Sequence, residues 1–83
     1  MSKTLHSARY QKLRLLMAAE RKSRGLTQVE LARRLSRPQS FVSKYESGER
    51  RLDVVEYMEV MEALGASPWG LLVNLESIEF IEE

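Results

Sequence analysis

From Gly25 to Gly48 the chain reads GLTQVELARRLSRPQSFVSKYESG, and the reading of these residues decides the fold. Thr27 is suited to cap a helix. Glu30 follows at the spacing of a capping box, in which each residue's side chain satisfies the other's backbone amide. Val29, Leu31, Ala32 and Leu35 then form the apolar stripe of a short helix. The stop is Ser36-Arg37-Pro38. Arg37 precedes a proline and is pushed out of the helical region, and Pro38 has no amide to donate. Proline is at home at a helix start, so a second helix begins there. It runs to about Ser47, and Gly48 supplies the left-handed residue that ends it.

The second helix has two unlike faces. At about 100° per residue, Gln39, Ser40, Ser43, Lys44 and Ser47 fall on one side, and Phe41, Val42 and Tyr45 on the other. The polar side carries an amide, hydroxyls and a single lysine in place of the mixed charges of a solvated helix. These short groups can hydrogen-bond base edges and phosphates. Two helices joined by a tight turn, the second bearing such a face, make a helix-turn-helix.

The pattern G-L-T-Q-x-E-L-A, followed by S-x-x-S-K-Y-E-S-G, resembles the phage-repressor and Cro type of helix-turn-helix, the XRE family. The likeness extends over roughly residues 10 to 73. It implies an all-α fold: a five-helix, lambda-repressor-like DNA-binding domain with the helix-turn-helix at helices 2 and 3 and a short C-terminal tail. One residue departs from the pattern, because the family usually has glycine in the turn where this chain has Ser36. A serine at positive φ costs up to roughly 1–2 kcal/mol. The turn is therefore either remodelled by Pro38 or held under strain.

The 83 residues suffice for one small domain, residues 1–83, with its core at about 7–74 and residues 75–83 as a tail and candidate dimerisation element. Without cysteine there is no disulfide framework and no thiolate metal site. No apolar run is long enough to cross a membrane, and the first residues do not form a signal peptide, so a cytoplasmic location is expected. The near-neutral total hides a segregation. All thirteen basic residues lie between Lys3 and Arg51, against four acids there, a balance of +9. From Leu52 onward there are eight acids and no base. The basic half suggests a polyanion partner, and the acidic half points away from it or meets another protein.

Taken in order, Ser7 to about Arg24 reads as a first helix. Tyr10, Leu13, Leu16 and Met17 lie inside, and Arg9, Lys12, Arg14, Lys22 and Arg24 decorate the outside. Gly25 ends it. The family resemblance implies an ion pair between Arg21 and Glu46 and a phosphate contact for Gln28. Arg33, Arg34 and Arg37 surround the turn as candidates for phosphate contact or solvated surface, and Phe41 reads as core in preference to a contact with thymine methyls. Asp53 and Glu56 form a second capping box. After it Val54, Tyr57, Met58, Val60, Met61 and Leu64 supply the apolar positions of a fourth helix, with Glu56, Glu59 and Glu62 on its wet side and Gly65 at its end. Met58 and Met61 are read as core filler. Ser67-Pro68 starts the fifth helix. Its residues Trp69, Leu71, Leu72, Val73 and Leu75 exceed what one buried stripe needs, and Trp69, Leu72 and Leu75, with Ile78, Phe80 and Ile81 of the tail, suggest a dimer seam. The tail itself reads equally as helix extension or short strand.

The expected function is sequence-specific binding of double-stranded DNA as a homodimer at an inverted-repeat operator, most often to repress transcription. Gln39, Ser40, Ser43 and Lys44 are the candidate base readers. Gln28, Arg37, Ser47, Arg50 and Arg51 are the candidate phosphate ligands. A reading of another class is an antitoxin or restriction-modification controller whose main partner is a protein, such as a toxin, bound through the acidic half. Enzyme chemistry is not expected: His6 is the lone histidine, and no carboxylate pair, nucleophile elbow or phosphate loop is present. No cofactor and no metal is called for.

Overall fold

The computed structural model describes residues 7 to 76, which form five α-helices. They are α1 (Ala8–Ser23), α2 (Gln28–Leu35), α3 (Gln39–Ser47), α4 (Val54–Leu64) and α5 (Pro68–Glu76), and no strand occurs among the described residues. The all-α expectation holds. The tail residues Ile78, Phe80 and Ile81 lie outside the described residues.

The starts follow the side-chain chemistry. Ser7 accepts the Tyr10 amide at 3.1 Å to cap α1. The capping boxes Thr27–Glu30 and Asp53–Glu56 both close, each side chain reaching the other's backbone amide at 2.7–3.0 Å. Pro38 is the residue that leads into α3 and Pro68 opens α5.

The first four helices end alike. After each, a residue in the left-handed conformation donates to the carbonyl three residues back, and its successor donates to the carbonyl five back. At Gly48 and Gly65 these are bonds to Tyr45 and Glu62, then from Glu49 to Lys44 and from Ala66 to Met61. Ser36 performs the same task after α2 with φ +56, the single non-glycine residue at positive φ among those described. The turn is therefore not remodelled by Pro38 into a right-handed conformation; Ser36 is held in the left-handed region and carries strain of up to roughly 1–2 kcal/mol.

The core lies where all five helices meet. Met17, Leu31, Val42, Tyr45, Val60 and Met61 are fully buried. Tyr10, Ala32, Phe41, Tyr57, Leu64 and Leu71 complete it. Phe41 thus belongs to the core, as its helix face implies, and packs edge-on against Tyr45 with ring centroids 5.6 Å apart. Three apolar assignments are corrected. Val29, Val54 and Met58 are exposed, because a stripe drawn at helical spacing is wider than the strip of each short helix that faces the core. Met61 is the core filler and Met58 is not.

Two arginines assigned to the outside of α1 act across the molecule. Arg14 donates to the Glu46 carbonyl at 2.8 Å and to Gln11 at 2.7 Å, and its side chain lies over Gly48. Arg24 pairs with Glu20 at 2.7 Å and donates to the carbonyls of Leu64 and Gly65. With Arg34, which donates to the Ala63 carbonyl at 2.9 Å, it covers the end of α4, a helix with no basic residue of its own in the last turn. Among the described residues, no helix is long and apolar enough to cross a membrane.

Candidate nucleic-acid interface

The polar face of α3 stands in solvent. Gln39, Ser40, Lys44 and Ser47 are exposed and Ser43 is half-buried. The serine hydroxyls lie close to their own helix: Ser43 donates to the Ser40 carbonyl at 3.3 Å and Ser47 to the Lys44 carbonyl at 3.1 Å. Ser47 Oγ also receives the Glu49 amide at 3.4 Å.

Behind this face runs a chain of polar contacts that begins in the core. Arg21 is buried, at 7% exposure. Its Nε lies 2.7 Å from Glu46 Oε2, its Nη2 3.0 Å from Oε1, and its Nη1 donates to the Leu26 carbonyl at 2.7 Å. The hydrogen bonds to Glu46 and the nearby carboxylate hold the guanidinium more firmly protonated than usual, against the opposing effect of burial. Gln28 Nε2 donates to the same Glu46 Oε1 at 2.9 Å. Gln39 Nε2 donates in turn to Gln28 Oε1 at 3.2 Å. A carboxylate fixed by a buried arginine thus orients one amide, which orients a second amide at the exposed start of α3.

The basic residues divide into two groups. Arg33, Lys44 and Arg51 are exposed, Arg51 with its guanidinium carbon 4.6 Å from the centre of the Tyr10 ring. The Tyr10 hydroxyl donates to the Arg50 carbonyl at 2.8 Å, which fixes the loop after α3 against α1. Arg37 and Arg50 turn toward the acidic half. Arg50 grips Glu56 with two bonds of 2.9 and 2.7 Å, and Arg37 lies 3.6 Å from Glu56 and 3.7 Å from Glu59. Glu56 was expected on the wet side of α4; its side chain is in fact 12% exposed. Its carboxyl is held down to about 2, first by the bonds from Arg50, then by the Asp53 amide and nearby guanidinium charge. Part of the acidic half therefore meets the basic half of the same chain. These arginine contacts carry no periodic signature, since a long side chain reaches a partner that sequence spacing does not place.

In the acidic half, Trp69 and Val73 of α5 and Val54, Val55 and Met58 of α4 are exposed. The Tyr57 hydroxyl donates to the Pro68 carbonyl at 2.6 Å and ties the first half of α4 to the start of α5, so these residues belong to adjoining helices. Leu71, one of the five apolar residues expected on this helix, is the α5 residue buried in the core; of those expected in a seam, Leu72 packs on the core and Leu75 is half-buried. No group of acids and histidines that could hold a metal occurs among the described residues.

Fold and face together define a helix-turn-helix protein of the DNA-binding regulator type. The helix-turn-helix family model matches residues 17–68, more than half of the chain. A solved structure named as an XRE-family like protein from Pseudomonas syringae pv. tomato str. DC3000 is 55% identical, with a TM-score of 0.83, over 90% of this chain and 92% of that one. Among curated proteins none matches the chain. The chain belongs to the XRE family of helix-turn-helix proteins.

Proposed function

We propose that the protein is a sequence-specific transcriptional repressor that binds an inverted-repeat operator in double-stranded DNA as a homodimer. The observation that carries this reading is the relay Arg21–Glu46–Gln28–Gln39, which ends in an oriented amide on an exposed helix start. A primary amide has two N–H donors and one carbonyl. Gln39 gives one donor to Gln28. The second donor and the carbonyl remain for the N7 and N6 of an adenine, the bidentate contact that selects this base in the major groove. Ser40, Ser43 and Lys44 share the same face and read neighbouring positions. Gln28, Ser47, Arg37, Arg50 and Arg51 flank it as phosphate ligands, whose contribution is independent of sequence.

Dimerisation is assigned to the half without basic residues. The seam would draw on the exposed Trp69, the half-buried Leu72 and Leu75 and, from the tail, Ile78, Phe80 and Ile81; the exposed Val54, Val55 and Met58 of the same acidic half add apolar surface. Two copies related by a two-fold axis would place their α3 helices about 34 Å apart, one turn of DNA, or a multiple of it. The same exposed residues favour a second reading, in which another protein such as a toxin covers this face.

Selection of bound sequences from a random duplex pool, with sedimentation of the purified protein and of its Trp69→Glu variant, tests both parts. The expected result is a symmetric consensus with a wild-type dimer that Trp69→Glu dissociates. A pool that yields no consensus overturns the base-reading assignment. A monomer at micromolar concentration overturns the homodimer and leaves the apolar face to a different protein.

A further inference from the structure

Beside the exposed face of α3 lies a cluster that base reading does not use. Arg37 immediately precedes Pro38 at the α3 start, and Arg50 follows α3. Their guanidinium carbons sit 4.4 and 5.0 Å from the centre of the Phe41 ring, in the first turn of that helix. Both converge on Glu56 of α4. Its Oε2 lies 2.7 Å from Arg50 Nη2 and 3.6 Å from Arg37 Nη1, and its Oε1 takes Arg50 Nη1 at 2.9 Å. Glu59 adds a second, half-exposed carboxylate 3.7 Å from Arg37.

A carboxylate offers a guanidinium two oxygens sharing one negative charge. A DNA phosphodiester offers two non-bridging oxygens sharing one negative charge, and arginine grips either in the same forked geometry. The two groups therefore compete for the same donors. Arg50 is 40% exposed at its side chain, so the Glu56 pair is not locked away and a phosphate can reach it. We propose that Glu56 is an internal competitor of DNA phosphate, holding Arg50 and Arg37 and thereby lowering the protein's sequence-independent affinity for duplex DNA. This rests on the DNA-binding reading above. Its effect is uniform over sequences, because phosphates carry no base information.

The test uses Glu56→Gln, which removes the charge but keeps a residue competent to complete the capping box with Asp53. Binding to a random-sequence duplex is measured from 50 to 200 mM salt for the full chain. The variant is expected to bind more tightly at low salt. Its logarithmic salt slope should steepen by about 0.9, one freed arginine, so that it loses roughly 3- to 4-fold more affinity than wild type over that range. Glu62→Gln, with the same change of net charge on an exposed position of α4, should shift the slope less. Arg50→Gln should cost more affinity in the Glu56→Gln background than in the wild type. On the unaltered protein, adding duplex at 50 mM salt should move the Arg50 Nε–H and Glu56 carboxyl resonances together. An unchanged slope, an equal effect of Glu62→Gln, additive substitutions, or unmoved resonances in a protein that does bind DNA overturns the competition alone. A gain confined to the selected operator also overturns it, since that would assign Glu56 to base reading. If the wild type binds no duplex at 50 mM salt, the DNA-binding reading falls first and this inference with it.

Discussion

Replacing Arg21 with alanine removes three charge-assisted hydrogen bonds at once, two to Glu46 and one to the Leu26 carbonyl. The side chains of the pair are 9% and 8% exposed, so water does not replace the lost partner. Glu46 keeps the Gln28 amide, a neutral donor, and is otherwise left as a buried charge. Breaking such a pair from one side costs roughly 3–5 kcal/mol. A domain of this size has about 4–12 kcal/mol of stability in total, so the loss is a large fraction of the whole. With a urea dependence of about 1 kcal/mol per molar, the unfolding midpoint should fall by about 3 M or more, or the variant should be unfolded from the outset. Lys22→Ala, exposed and one residue away, serves as the comparison and should stay within about 0.5 kcal/mol of wild type. Arg24 does not serve, because its guanidinium ties α1 to the end of α4. Urea titrations followed by circular dichroism give the midpoints. The double change Arg21→Met with Glu46→Leu should regain much of the loss, since it leaves no stranded charge. Equal midpoints for Arg21→Ala and Lys22→Ala would refute the argument, as would a double variant no better than the single one.

Further outcomes are expected elsewhere. Ser36→Gly relieves the left-handed strain after α2 and should stabilise by up to about 1 kcal/mol, a rise of roughly 4–8 °C in thermal midpoint; a fall would show that the serine side chain contributes something glycine cannot. Gly48→Ala should destabilise by about 1–2 kcal/mol, because φ is +85° and the new Cβ would meet Arg14 Nε at 2.9 Å; calorimetry of the two glycine-site variants should show opposite signs. Gln39→Ala should cost about 1–3 kcal/mol on the selected site and relax one base position, while Arg51→Ala should weaken all duplexes alike; equal losses on selected and random DNA by both variants would remove α3 from base reading. Glu56 ionises near 2 in the folded chain against an ordinary 4.5, so its contribution is complete above about 4.5 and disappears as pH falls toward 2; Glu56→Gln should flatten that part of the acid unfolding curve, and an unchanged curve would contradict the Arg50 grip.

Much of the frame can be read from local chemistry. Thr27 with Glu30, Asp53 with Glu56, Pro38, Pro68 and the glycines at 25, 48 and 65 act within a few residues of themselves, and their spacing is their mechanism. The Arg21–Glu46 pair was legible through the family pattern. The polar face of α3 was legible because its few short side chains repeat at helical spacing. Other features left no such trace. Val29, Val54 and Met58 occupy apolar spacings yet point to solvent, because periodicity names a face without saying how wide the contact will be. Arg14, Arg34 and Arg50 act through long side chains on carbonyls or carboxylates of other elements, and their choice of partner emerges only when the helices are assembled.

The arginine contacts at the end of α4 bear on how the molecule comes apart. The carbonyls of Ala63, Leu64 and Gly65 are received by Arg34 and Arg24, residues 29 to 41 positions earlier in the chain. The last turn of α4 therefore cannot fray without giving up bonds to both α1 and α2, and neither of those helices can leave without uncovering it. Helix ends are ordinarily where local opening begins, at little free energy. Here that route carries the added cost of bonds to two other helices at the junction of the two halves. Amide protons at the end of α4 should therefore exchange more slowly in the wild type than in Arg24→Ala or Arg34→Ala.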